Sequence, residues 1–124
     1  MEDKVNILVV DDLADKRLAF REVLDDLDEN HVLVGSGAEA LRELLEREFA
    51  VIVLDVNMPE IDGIETAELI RKLPQGRNLP MIAVTAKAMK GDREKCIEAG
   101  AWDYLSKPVD TIHLLGVLKS WLHR

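Results

Sequence analysis

The sequence predicts an α/β fold, a three-layer α/β/α sandwich built around a mostly parallel sheet. Two patterns carry this expectation. Short apolar runs rich in Val and Ile recur along the 124 residues and read as strands, because β-branched side chains suit a pleated surface and the runs are too short for helices. Segments with a single apolar stripe at helical spacing separate them. Near-continuous apolar strands alternating with amphipathic helices imply parallel strands covered on both faces, since each parallel connection has to cross over the sheet.

The elements follow in order. The first strand is expected from Val5 to Val10, and the first helix carries the stripe Ala19, Phe20, Val23, Leu24 and Leu27. His31 to Val34 forms the second strand. Ser36 with Glu39 three residues later has capping-box spacing, just ahead of a helix striped by Ala40, Leu41, Leu44 and Leu45. Val51 to Leu54 is the third strand, and Ile64, Ala67, Ile70 and Leu73 stripe the third helix. The connection from Pro74 to Pro80, with Gly76 and Asn78, is the most irregular stretch and is still short. Met81 to Val84 is the fourth strand. A fourth helix is expected from about Asp92 to Ala99, stopped by Gly100. Tyr104 to Ser106 is the weakest strand, and a last helix runs from about Asp110 to Leu122. Asp92 and Asp110 are of a type that caps helix starts. The five strand-helix units share a period without a repeated signature, so no solenoid is expected.

With 48% apolar and 32% charged residues, the chain is long enough for one buried core and is expected to be one domain over residues 1–124. Its 16 basic and 24 acidic residues give a net charge of −8, and such a surface repels a phosphate backbone. Direct nucleic-acid binding is not expected. The single Cys96 cannot form an internal disulfide, and no apolar run approaches the roughly 20 residues needed to span a bilayer. Glu2 and Asp3 ahead of the first apolar stretch, and Asp11 and Asp12 behind it, are not the flanks of a secretory signal. A cytoplasmic protein without membrane contact fits best.

In a doubly wound sheet, ligands bind outside the carboxyl ends of the strands. The first strand ends in Asp11 and Asp12, the third in Asp55 and the fourth in Thr85, while the fifth runs into Lys107. Taken singly, each has an ordinary explanation: acids solvate a helix start, a hydroxyl caps a turn, a lysine lies on the surface. Their coincidence on one rim is what points to chemistry. Two carboxylates about 4 Å apart repel by about 4 kcal/mol at an effective dielectric of about 20, so a cation has to sit among them. All-oxygen ligation suits Mg²⁺, which commonly completes its shell with phosphate oxygens. A carboxylate can then act as a phosphoryl acceptor, with metal, ammonium and hydroxyl neutralising the equatorial oxygens. Asp55 is the candidate acceptor, standing alone on the central strand.

These residues are recognisable together. On Val10-Asp11-Asp12, on Asp55 to Gly63, on Thr85-Ala86 and on Lys107-Pro108, the chain resembles the receiver domain of two-component response regulators over essentially its whole length. The resemblance implies a flavodoxin-like (βα)5 topology with strand order 2-1-3-4-5. It implies a phosphoryl group passing from a phosphohistidine, on a histidine kinase or histidine phosphotransfer domain, to Asp55. Asp12 and Asp55 are implied as direct Mg²⁺ ligands, Asp11 as a ligand largely through water, and the backbone carbonyl of Asn57 as a further oxygen. Thr85 is implied to hydrogen-bond the phosphoryl group and Lys107 to ion-pair with it, with a cis peptide at Pro108. Asn57 and Lys87, two residues beyond Asp55 and Thr85, flank the path of an attacking water and are expected to set the phosphoryl lifetime. Thr85 and Tyr104 are the implied switch pair, read out on the face of the fourth helix, fifth strand and fifth helix. That face, with Trp102 and Tyr104, is also the candidate surface for a homodimer, and Trp102 is expected to report on it.

The run from Thr85 to Met89 and the ending from Tyr104 to Asp110 are most similar to receivers of hybrid sensor histidine kinases. No basic helix-turn-helix follows within these residues, so the expectation is a stand-alone receiver or a module of a longer protein. It is not expected to be a classical enzyme, although it would catalyse its own phosphorylation and dephosphorylation. Leu13, Lys16 and Arg17 fall at positions that generally touch the phosphotransfer partner, whose identity they leave open.

Three rivals differ in class. A flavodoxin-like electron carrier needs a Ser-, Thr- and Gly-rich phosphate loop where this chain has Asp11-Asp12-Leu13-Ala14-Asp15. A haloacid-dehalogenase-type phosphatase needs two Asp separated by one residue, and here they are adjacent. A non-phosphorylated receiver-like interaction module is opposed by the intact set of acids, Thr85 and Lys107. His31, His113 and His123 have no metal-ligand spacing and are expected at the surface. Cys96 reads as a packing residue, Trp121 as core with Leu114, Val117 and Leu118, and Trp102 as the one aromatic suited to an interface.

Overall fold

The computed structural model describes residues 5–12, 14–25, 29–55, 63–85, 92–106 and 111–122. Strands β1 (Asn6–Val10), β2 (Asn30–Val34), β3 (Val51–Asp55), β4 (Met81–Thr85) and β5 (Asp103–Ser106) form one parallel sheet in the order β2-β1-β3-β4-β5. Helices α1 (Ala14–Asp25), α2 (Gly37–Glu46), α3 (Gly63–Lys72), α4 (Asp92–Ala99) and α5 (Thr111–Leu122) alternate with them, and a short 3-10 turn (Pro74–Gly76) opens the connection into β4. The expected fold class and strand order are both met. Leu13, Leu27, Asp110 and His123 lie outside the described residues, as does the side chain of Lys16.

The central strands are the ones the sequence marks most clearly. β3 and β4 are buried along their whole length and β1 after its first residue, so nearly every position carries an apolar side chain. β2 and β5 are the sheet edges, partly open to solvent, and their weaker apolar pattern follows. Alternation along the strands divides the interior in two. Leu8, Ile52 and Leu54 pack with Leu44 of α2 and Ile70 of α3 on one side; Ile7, Val53 and Ile82 pack with Leu24 of α1 and Leu118 of α5 on the other.

Ser36 caps α2 as its spacing predicts, its Oγ accepting from the Glu39 amide at 3.2 Å. The reciprocal contact is displaced by one residue: the Glu39 carboxylate accepts from the amide of Gly35, at 3.5 Å. Leu45, read as part of the inward stripe, is 63% exposed. Ala40 and Leu44 already fill the inward direction, and the next residue is turned about 100° away from it. Where α2 meets α3 the helices are so close that a Cβ at Gly37 would stand 2.3 Å from Thr66 Oγ1.

Gly100 ends α4 at φ +119°. The amide of Ala101 donates to the carbonyl of Cys96 and that of Gly100 to Ile97, both at 3.0 Å, which is a Schellman termination. Cys96 and Ala101 then pack together against Ala83, so Cys96 is the packing residue its setting suggested. Arg71, in the last turn of α3, holds this corner. Its guanidinium donates to the carbonyl of Gly100, and its Nη1 to those of Gly76 and Leu79, each at 2.7 Å. Burial lowers its pKa below the ordinary arginine value.

Trp102 lies just before β5 and is 40% exposed. Its ring faces the half-buried Trp121 of α5 and the guanidinium of Arg71, so it is an aromatic with partners at the strands' N-terminal end. His31 departs from its expected surface position. Its side chain is 19% exposed, with Nε2 3.8 Å from the Asp25 carboxylate, because β2 faces the end of α1. Among the described residues, no helix is long and apolar enough to cross a membrane.

Candidate functional site

The register of the central strands assembles the site. Val10 pairs with Leu54, so one step further along both chains brings Asp11 level with Asp55. Both are nearly sealed, at 0% and 3% exposure, whereas Asp12 is partly open. One carboxylate oxygen from each of Asp11, Asp12 and Asp55 lies within 4.8 Å of the other two. At that spacing each pair of charges repels by about 3 kcal/mol at an effective dielectric of about 20. The donor set is carboxylate oxygen alone, which fits a hard divalent cation and not a soft one.

β4 adds the hydroxyl. Asp55 pairs with Val84, and the next residue, Thr85, closes the strand at 2% exposure. Thr85 in turn pairs with Ser106 of β5, immediately ahead of Lys107 in the chain. Asn57, Lys87, Lys107 and Pro108 lie outside the described residues. The structure therefore brings together Asp11, Asp12, Asp55 and Thr85 of the set read from sequence.

Thr85 and Tyr104, the pair expected to form a switch, are related through the same ladder. Tyr104 pairs with Ala83 and packs against it. Thr85 lies two residues beyond Ala83, so it shares that face of the sheet with Tyr104.

Arg17, expected at a partner-facing position, reaches back to the end of β1. Its Nη1 donates to the backbone carbonyl of Asp11 at 2.7 Å, and the guanidinium lies against Gly35, where a Cβ would approach Nη1 to 2.9 Å. The Asp11 amide donates to Val34 at 3.1 Å, so both sides of the Asp11 backbone are held. The pattern missed here was a basic residue within two helical turns of an acid pair, placed to fold back over the strand end.

The comparisons agree with this geometry. The response regulator receiver domain family matches residues 7–119. The signal transduction histidine-protein kinase BarA of Shigella flexneri is 38% identical over 114 residues, covering 92% of this chain and 12% of BarA. The receiver domain of the sensor histidine kinase PA1611 from Pseudomonas aeruginosa, solved with magnesium in its active site cleft, superposes with a TM-score of 0.89 at 34% identity, covering 98% of this chain and 99% of that one. The receiver domain of Ssk1 from Saccharomyces cerevisiae, crystallised with the histidine phosphotransfer protein Ypd1, gives a TM-score of 0.87 at 26% identity over 98% and 90% of the two chains.

Proposed function

The chain belongs to the response regulator receiver family, and from that premise we propose that it is a Mg²⁺-dependent phosphoacceptor in a two-component relay, with Asp55 as the acceptor. The observation that carries this reading is the convergence of Asp11, Asp12 and Asp55 within 4.8 Å at the end of the central strands. Asp12 and Asp55 would hold Mg²⁺ directly, Asp11 largely through water, and the Asn57 carbonyl would add an oxygen. Bound there, the ion supplies the positive charge that lets an anionic phosphoryl group approach three carboxylates.

An Asp55 carboxylate oxygen forms the new O–P bond as the N–P bond of a partner's phosphohistidine breaks, and the departing imidazole nitrogen keeps the bonding pair and takes up a proton. The Thr85 hydroxyl donates to a phosphoryl oxygen, and the Lys107 ammonium pairs with another. Asn57 and Lys87 flank the approach of the water that later hydrolyses the acyl phosphate. Movement of the Thr85 hydroxyl toward the phosphoryl group frees space on the face it shares with Tyr104, which turns inward. A histidine kinase or phosphotransfer domain is the donor, by likeness to the Ssk1 receiver, which was crystallised with one. A second copy of the chain at the Trp102 and Tyr104 face is the further partner of this reading.

The test is intact mass after incubation with a small acyl phosphate donor and Mg²⁺. Wild type should gain one phosphoryl group and Asp55→Asn none. Equal labelling of the two proteins would remove Asp55 as the acceptor.

A further inference from the structure

Of the three carboxylates at the rim, Asp12 is the one that packing does not fix. Asp11 and Asp55 are nearly sealed within the sheet, whereas Asp12 is partly open and sits where β1 has ended and α1 has not begun. Its direction depends on the peptide that joins it to Asp11. That peptide's carbonyl is the group Arg17 grips, at 2.7 Å. Glycine at position 35 leaves room for the grip: a Cβ there would stand 2.9 Å from Arg17 Nη1, so the guanidinium would have to shift.

We propose that Arg17 is a positioning residue for the metal site: by holding the Asp11 carbonyl it fixes the peptide plane that aims Asp12, and Gly35 leaves room for the guanidinium to do so. This rests on the reading of the rim as a Mg²⁺ site. It also opposes simple electrostatics. A cation beside a cation site weakens metal binding, so an arginine acting only through its charge lowers Mg²⁺ affinity, and its removal raises it. An arginine that orders a ligand does the reverse, because without it Asp12 has to be ordered when the metal binds.

The experiment is Mg²⁺ titration by calorimetry, with the Asp12 amide resonance followed in parallel, on wild type, Asp12→Asn, Arg17→Met and Gly35→Val, well below each protein's melting temperature. Gly35→Val keeps the charge and drives the guanidinium off the carbonyl. Groups that orient metal ligands typically contribute about 10- to 100-fold in affinity, so both Arg17→Met and Gly35→Val should bind Mg²⁺ about tenfold more weakly. Tighter binding by Arg17→Met with unchanged binding by Gly35→Val would assign Arg17 a charge role and overturn the proposal. A lower melting temperature with unchanged affinity in both would reduce it to fold stability and overturn it equally. If Arg17→Met does not fold, Gly35→Val alone decides. Absence of Mg²⁺ binding in wild type, or binding that survives Asp12→Asn, overturns the metal reading itself; failure confined to the Arg17 and Gly35 variants overturns only this inference.

Discussion

The rings of Trp102 and Trp121 lie with their centroids 5.4 Å apart, tilted by 54°, and join the start of β5 to the end of α5. On Trp102 the guanidinium carbon of Arg71 stands 5.5 Å from the ring centroid. Neither indole is therefore an independent probe. Replacing Trp121 to isolate Trp102 changes the surroundings of Trp102 itself, so amide resonances around Tyr104 are the more direct readout of the Thr85 face.

Because the two rings are coupled, Trp102→Phe and Trp121→Phe should each abolish the exciton component of the circular dichroism spectrum, and the double variant should lose no more of it. In denaturant titrations a cycle of Trp102→Ala and Trp121→Ala, which removes the ring at each position, should give a coupling energy of about 1 kcal/mol, the range for tilted aromatic pairs. Strictly additive losses would show that the contact contributes nothing.

Asp12→Asn should melt higher than wild type in the absence of metal. It removes one of three mutually repelling carboxylates, and since Asp12 is partly open to water the gain is screened to about 1 kcal/mol, or roughly 3 °C. With saturating Mg²⁺ the order should invert, because wild type gains binding energy that the variant lacks. Thermal melts with and without Mg²⁺ check both halves.

Arg71→Met should lower stability by about 2 kcal/mol or more, since it leaves the carbonyls of Gly76, Leu79 and Gly100 without their donor. Arg71→Lys should recover less than half of that, because one ammonium cannot reach three carbonyls as a planar fork does. Urea denaturation at low and high salt is the measurement. The loss should be nearly the same at both, as the acceptors carry no net charge.

Two glycines in helices should respond in opposite senses. Gly116→Ala in α5 meets nothing within 4 Å and should stabilise by about 1 kcal/mol through helix propensity. Gly37→Ala meets Thr66 Oγ1 and should destabilise by about 1–3 kcal/mol, as overpacking does. Melting temperatures of the two variants decide.

The sheet and the acidic rim were legible in the sequence for the same reason: side-chain type carries the signal. Val51 to Leu54 and Met81 to Val84 are buried throughout and apolar throughout, and Asp11, Asp12 and Asp55 interrupt apolar runs where a solvent-shy strand has no use for charge. Arg71 and Arg17 were illegible as structural residues because their partners are peptide carbonyls, which every residue possesses. The indole pair was hidden differently. It depends on how the end of α5 meets the start of β5, a distance no local pattern encodes. Leu45 falls outside the buried stripe because a stripe's width depends on the depth of the groove beneath it, and Leu44 already fills that direction.

Arg71 donates its hydrogen bonds to backbone carbonyls at the corner between α3, α4 and β5, and this gives the end of the sheet where the strands begin a tolerance to sequence change. Gln75, Arg77 and Asn78 surround two of its three acceptors and are themselves exposed. Their side chains can be exchanged while the carbonyls between them stay where they are. A dye or a surface tether attached at these positions sits at the opposite end of the strands from Asp55, so the chain can be labelled or immobilised there without touching its acidic rim.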